Sequence, residues 1–514
     1  VLPINKYVKP NRSASSTRAF WFCAAGVLLV YAAFFPAVIY SVDGNSMVAV
    51  AESLVTGHGF TVANAGLGVP GVHGLYYSMW YPLQSILAAP LVAIGVYLSR
   101  AVNLPQHYVA AMFALMLSTL IGAATALTVA SLGRRLGASS RGCVAAALAF
   151  AFGTIALVYS RAFFADPLLA LLSVAGICFA LDRKAGCASA TAALAILAKP
   201  TGIVLGPCIA AYLICRRSGL AKWLLPLCGT AAGLLIYFGY NWMRFRNPLD
   251  FGQPNTFSLR FAPIGLAGLL ASPGAGIFWY CPALIAMAGL RRDVFRRWDS
   301  GLIMAVAAAY LAEHAIWLHW EGGWSWGPRL ILPAVPGLMA MTALLEKRRR
   351  TWLAVLTAVG IAVSAPTMVS FYERYYQEAN AASISPQARM WNPRYAVIFR
   401  VWGSAARETS DAYHNADRVA EFARQAGGTP ASTVNDSRAL RIVNVWWWML
   451  PAVGIPRAAG AAVSLLLLIG GIWLMAAALA RAPDDDATSS RQQTGYASAA
   501  AVLARGRGRR SLAP

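Results

Sequence analysis

Apolar runs long enough to cross a hydrocarbon layer, about 20 residues each, recur along the chain from residue 19 onward, separated by short polar segments. The segments at 19–41, 108–132, 142–159, 166–181, 185–199, 201–215, 223–240, 278–290, 301–319, 329–345, 352–371 and 460–480 read as helices of a polytopic, all-α membrane protein with about twelve transmembrane passes. The polar segments orient them. Lys6, Lys9, Arg12 and Arg18, then "RRLGASSR" at 134–141, "DRK" at 182–184, "RRSGLAK" at 216–222, "RRDVFRR" at 291–297 and "EKRRR" at 346–350 are short basic clusters. Such clusters prefer the cytoplasmic side, and one threading satisfies all of them. It requires 82–102, "PLQSILAAPLVAIGVYLSRAV", to lie in the outer interface although it is apolar enough to span.

This threading divides the chain into a cytoplasmic arm at 1–18, a membrane module at 19–371 with an outer loop at 42–107, and an outer loop or small subdomain at 372–459. A last transmembrane helix at 460–480 and a disordered cytoplasmic tail at 481–514 complete it. The run at 19–41 is too long for a cleavable signal peptide, and further spans follow it.

Composition agrees and removes other classes. Hydrophobic residues make up 58% and charged residues 12%, about half the charged share of a soluble domain, with a mean hydropathy of +0.55. The net charge of +23 would suggest nucleic acid on a soluble protein. Here the excess sits in the topology-setting clusters, so the expected partner is the lipid bilayer and no nucleic acid. Eight cysteines, at 23, 143, 178, 187, 208, 215, 228 and 281, include no CxxC pair. They read as small buried residues, with no metal or disulfide framework.

Candidate chemistry gathers at the outer ends of the spans. Asp43 follows the first span in "SVDGNSMVAVAESLVTGHGF". "YSRAFFADP" carries Arg161 and Asp166, "AILAKPTG" carries Lys199, and "YNWMRFRNP" carries Asn241 and Arg244. "EHAIWLHWEGGWSWGPR" supplies His319, Glu321 and Arg329, and Tyr81 lies among the first-loop aromatics. Each has a plain structural use. Asp166 before Pro167 suits a helix start, Lys199 suits a snorkelling cation, and tryptophans and tyrosines suit the interfacial belt. Together, however, acids and bases converge on one side of the bilayer, which favours a functional reading. Arg and Lys there suit a lipid-borne phosphate. A carboxylate beside them suits deprotonation of an acceptor hydroxyl.

At these residues the sequence resembles the GT-C superfamily of membrane glycosyltransferases, in particular its protein-mannosyltransferase-like and aminoarabinose-transferase-like bacterial branch, which uses polyprenyl-phosphate sugars. The resemblance covers roughly residues 17–345 and rests on order: Asp43 after span one, "YSMWYPLQSILAAP", "YSRAFFADPLLALL", "LAILAKPTGIVL", "YNWMRFRNPLDFGQ", "SPGAGIFWYCPAL" and "WEGGWSWGPRLILPAVP". It implies interfacial helices in the first outer loop, Asp43 as general base of an inverting transfer, and Arg161 and Asp166 near acceptor or donor phosphate. Many relatives carry an Asp-Glu pair in this loop, whereas here Gly44 follows Asp43.

The sequence-level expectation is thus a glycosyltransferase of the bacterial cytoplasmic (inner) membrane with its active site on the periplasmic face. It would move a sugar from a polyprenyl-phosphate donor to a cell-envelope acceptor (lipid, glycan or protein). Asp43 and Asp166 would be its catalytic acids. Arg161, Lys199, Asn241, Arg244, His319, Glu321, Arg329 and Tyr81 would bind donor phosphate or substrate. No cofactor is expected, with a divalent metal left open. The alternatives are a transporter or flippase of lipid-linked sugars and a glycan polymerase or ligase.

Overall fold

A computed structural model describes residues 14–63, 65–253, 256–414 and 443–484. The expected arm up to residue 13, the tail beyond 484 and the centre of the 372–459 loop lie outside the described residues.

The chain is helical, and six helices are long and apolar enough to cross a membrane: Ser16–Ala33, Pro82–Val102, Gln106–Arg135, Leu220–Phe245, Lys347–Met368 and Arg457–Arg481. Shorter apolar helices, among them Ser140–Gly153, Ala165–Leu181 and Ala185–Ala198, pack between them. On the outermost helices the exposed residues are themselves apolar: Leu235 and Ile236, Trp352 and Val355, Leu466, Ile469 and Trp473. A helix apolar on its exposed face has lipid as its solvent, so the protein is a multi-pass membrane protein.

Two ends of the bundle are chemically distinct. At one end Arg135 grips Asp182 through two hydrogen bonds of 2.9 Å, and Arg350 and Arg141 converge on Asp484 at 2.6 and 3.3 Å. Arg297 reaches the Leu136 carbonyl and Arg349 that of Gly289. The clusters at 134–141, 291–297 and 346–350 therefore meet one another, together with Asp182, at a basic end. The opposite end joins Asp43, Asp166, Lys199 and Arg329.

Several segments that read as continuous spans are broken. Residues 282–289 form 3-10 turns after Cys281, and Arg329–Ala334 is a 3-10 segment before the short Val335–Met341 helix. Pro282, Pro333 and Pro336 each lack the amide hydrogen an α-helix needs. Pro366 likewise ends Arg350–Ser364 in 3-10 turns. The cysteines also differ from expectation: Cys187, Cys215 and Cys228 are exposed.

The Pro82–Val102 helix lies along the first half of Gln106–Arg135. Ala88, Val92 and Val96 pack with Ala110, Ala114 and Leu115, while Leu83 meets Ile121, Leu168 and Ala198. Its whole length therefore sits on the site side of Ile121, away from the basic end. Before it, a small antiparallel sheet orders Thr61–Val62, Tyr76–Tyr77 and Val69–Pro70, with the Tyr76 strand central.

The first and last long helices embrace closely. A Cβ at Gly471 would lie 2.8 Å from Val30 Cγ2 and 2.9 Å from the Gly26 carbonyl, and one at Gly26 would lie 2.8 Å from the Gly471 carbonyl. Small residues let membrane helices approach at the backbone, where packing replaces the hydrophobic effect. Gly471→Val should cost about 1–3 kcal/mol by overpacking and lower the thermal midpoint in detergent, with Gly471→Ala intermediate; unchanged midpoints would contradict this packing.

Candidate functional site

Asp43 lies in the first turn of the Val42–Val55 helix, whose N-cap Ser41 accepts the Gly44 amide through its side chain at 3.1 Å. Gly44 has no room for a side chain: a Cβ would stand 2.7 Å from Ile39 and 3.1 Å from the Phe163 carbonyl. This close approach excludes a side chain at position 44 and ties the Asp43 turn to the 161–166 turn. Asp166 opens the Ala165–Leu181 helix, ahead of Pro167. Lys199 terminates Ala185–Ala198 at the same level.

Arg329 connects them. One guanidinium nitrogen donates to Asp43 Oδ2 at 3.1 Å and another to the Gly322 carbonyl at 3.3 Å. Nε stands 3.7 Å from Asp166 Oδ2, and the guanidinium lies over the Phe164 ring at 4.1 Å. Lys199 Nζ donates to Asp166 Oδ1 at 2.6 Å. Two carboxylates and two cations thus form a chain of zero net charge, Asp43–Arg329–Asp166–Lys199. Its two acids differ in exposure: the Asp43 side chain is 20% exposed and that of Asp166 4%. Asp43 is the member nearest solvent. Burial raises its carboxyl above the usual aspartate range, with Arg329 opposing the rise.

The other expected site residues stand outside this chain of charges. Arg161 donates to the carbonyls of Phe34, Thr367 and Asn444, fastening three distant segments together. Arg244 donates to the Ser78 carbonyl and to Asn241 Oδ1 and stacks on Tyr240, while Asn241 Nδ2 donates to the Pro248 carbonyl. Arg244 and Asn241 thereby brace the first outer loop against the Leu220–Phe245 helix. His319 and Glu321 sit 3.8 Å apart, with the histidine largely exposed. Tyr81 packs against Tyr237 with ring centroids 6.3 Å apart and feels the charges of Asp166, Asp43 and Arg329.

Two buried groups escaped the sequence reading. Gln84, next to the first-loop aromatics, is fully buried with neither amide atom partnered in the structure. Glu373, in the first turn of Tyr372–Ala381, is 8% exposed and lines a small cleft with Tyr40, Ser41, Arg161, Phe164 and Tyr372. In sequence, Glu373 is an ordinary first-turn acid of a polar helix, and only the fold turns it inward. Burial pushes its carboxyl up to about 7.

The folded protein therefore keeps the Glu373 proton at pH values where an unfolded glutamate, at about 4.3, has lost it. Between those two values the folded state binds more protons, so stability falls as pH rises. Glu373→Gln removes this term. The variant's thermal midpoint should rise relative to wild type between about pH 5 and about pH 8, by up to about 3 kcal/mol in stability; a pH-independent offset would refute the buried carboxyl.

No family model matches the chain, and comparison with curated proteins finds no match. Among solved structures it is similar to apo ArnT from Cupriavidus metallidurans, at 17% identity over 90% of this chain and 78% of that one, with a TM-score of 0.47. The same protein bound to undecaprenyl phosphate gives 16% identity, 88% and 76% coverage and a TM-score of 0.46. The Archaeoglobus fulgidus oligosaccharyltransferase in the apo form gives 14% identity, 81% and 60% coverage and a TM-score of 0.45. These likenesses assign no residue of this chain a role; the chemistry of the site rests on its own side chains.

Proposed function

We propose that the protein is a membrane glycosyltransferase of the GT-C type that transfers a sugar from a polyprenyl-phosphate donor to an acceptor in the cell envelope. The supporting observation is the Asp43–Arg329–Asp166–Lys199 chain of charges at the bundle end away from the basic clusters. By the positive-inside rule that end faces out of the cytoplasm. The setting would be the bacterial cytoplasmic membrane, with the Pro82–Val102 helix resting in the outer interface.

In this reading a donor phosphate competes with the carboxylates for Arg329 and Lys199. The resting chain is neutral, so an arriving anion finds its cations already paired and must displace an acid from one of them. Asp43 is the acid to be displaced, because it is the more exposed and is held by Arg329 alone, whereas Asp166 keeps Lys199. A freed Asp43 then takes the proton from the acceptor hydroxyl as the acceptor oxygen bonds to the sugar C1. The C1–O bond to phosphate breaks, its electron pair stays on the phosphate oxygen, and polyprenyl phosphate leaves, stabilised by Arg329 and Lys199. In-line attack inverts the anomeric centre.

The test uses purified protein in detergent with a panel of undecaprenyl-phosphate monosaccharides and reads release of undecaprenyl phosphate. Asp43→Asn should lower kcat about 10²–10⁴-fold, the contribution of a positioned base, while Lys199→Gln should chiefly raise the donor KM. Undiminished release by folded Asp43→Asn removes Asp43 as base. Donor crossing the bilayer without release, in liposomes, turns the reading into transport.

The pH profile supplies a second check. A base acts only when ionised, so kcat/KM should decline as pH falls through the raised Asp43 pKa. Arg329 opposes that rise, and Arg329→Gln should move the acid limb to higher pH as well as slow turnover. A limb that stays in place argues against Asp43 as the titrating base.

A further inference from the structure

The helix that carries Asp43 is held by a histidine from another helix. His107, in the first turn of Gln106–Arg135, lies against Val42–Val55 with its side chain largely buried. Its Nδ1 stands 2.5 Å from Glu52 Oε2, and its Nε2 stands 3.2 Å from Asn45 Oδ1. Asn45 and Glu52 lie about two helical turns apart, so they share one face and the imidazole bridges them. Gln106, its chain neighbour, donates to the other Glu52 oxygen at 3.3 Å.

Asn45 is where this bridge meets the site. It is 3% exposed, and its Nδ2 donates to the carbonyls of Ile39 and Ser41 at 3.0 and 3.1 Å. Those carbonyls belong to the stretch that leads into Asp43, and Ser41 also caps the Gly44 amide. A carbonyl only accepts, so the Asn45 amide turns its nitrogen to them and its oxygen to His107. That oxygen also only accepts, so His107 Nε2 is the donor. Without this donor a buried oxygen would lack a partner, which is costly, and the amide would be drawn from its two carbonyls toward water. The other side-chain bonds to this helix act further along it. Ser46 donates to the Leu67 carbonyl at 2.5 Å and Ser85 to the Met47 carbonyl at 2.8 Å.

We propose that His107 is a positioning residue for the transfer: by donating to Asn45 it fixes the 39–45 turn and so sets where the Asp43 carboxylate stands against Arg329. Arg329 reaches Asp43 through one hydrogen bond, to Oδ2 at 3.1 Å, so a small shift of the turn breaks it. Misplacing a reacting group by about 1 Å costs about 10²-fold in rate. The effect on turnover rests on the transferase reading, whereas the placement of Asp43 can be followed without turnover.

Two substitutions separate the two contacts of the ring. Counted in bonds from Cα, the side-chain nitrogen of asparagine matches histidine Nδ1 and that of glutamine matches Nε2. His107→Gln therefore keeps a donor for Asn45, and His107→Asn keeps one for Glu52 alone. Both are compared with wild type as purified full chain in detergent. One readout is release of undecaprenyl phosphate from undecaprenyl-phosphate monosaccharides, and the other is carbodiimide labelling of Asp43 followed by mass spectrometry. His107→Asn should lower kcat about tenfold or more with little change in the donor KM, and should label Asp43 faster as the acid leaves Arg329. His107→Gln should restore most of the rate and slow the labelling again. Asn45→Ser removes the same bond from its other side and should repeat the His107→Asn result, and thermal scans establish which variants are folded. Wild-type kcat and labelling in folded His107→Asn or Asn45→Ser, or equal losses in His107→Asn and His107→Gln, overturn the proposal. Labelling that follows the expected order in a protein that releases no undecaprenyl phosphate keeps the positioning role and discards the transferase.

Discussion

The position of Arg329 between Asp43 and Asp166 is the constraint on which the site end depends. The two acids arrive on different helices, from segments more than a hundred residues apart, and without the guanidinium their like charges would face each other. Removing one partner of a buried ion pair costs about 3–5 kcal/mol, because the remaining charge stays desolvated. The surrounding loops serve that geometry. Phe164 gives Arg329 a ring to lie over and Gly322 offers it a carbonyl. The Lys199 ammonium holds Asp166 from the other side. A set of charges that sums to zero is quiet at rest and disturbed by any added anion. That property suits the proposed anion-binding role, since well-packed apolar residues would stabilise a bundle as well or better.

Much of the architecture was readable because membrane helices follow coarse rules. Length of apolar run identifies a helix, and the placement of Arg and Lys separates the ends. Asp43, Asp166, Lys199 and Arg329 could be named because ionisable groups beside apolar spans are expensive enough to be few. The same scarcity argument also named Arg161 and Arg244, which serve as braces. Sequence shows that a guanidinium is present, but its five donors find carbonyls or ligands only through long-range packing. Phe34, Thr367 and Asn444 could not be matched to Arg161 by any local pattern. Glu373 was hidden for the opposite reason. It occupies a helix start where an acid is ordinary, and only long-range packing buries it.

The broken spans follow the same division. Prolines at 282, 333, 336 and 366 are visible in the sequence, yet apolar run length dominates any span-by-span reading and conceals where α turns give way to 3-10 turns. The breaks matter to the site. Arg329 stands at the head of one such 3-10 segment, which sets the direction in which its long side chain leaves the backbone toward Asp43 and Asp166. At this break the irregular backbone from Leu330 to Ala334 is buried within protein, as membrane-depth irregularity must be.

The contact between Gly26 and Gly471 has a consequence for biogenesis. More than four hundred residues separate the two glycines, and at about 5–20 residues per second of synthesis the helix that carries Gly471 emerges about 20 to 90 seconds after the one that carries Gly26. The Gly26–Gly471 contact therefore forms only after nearly all of the chain has been made, and until then the first helix lacks the partner that its glycine is shaped to meet.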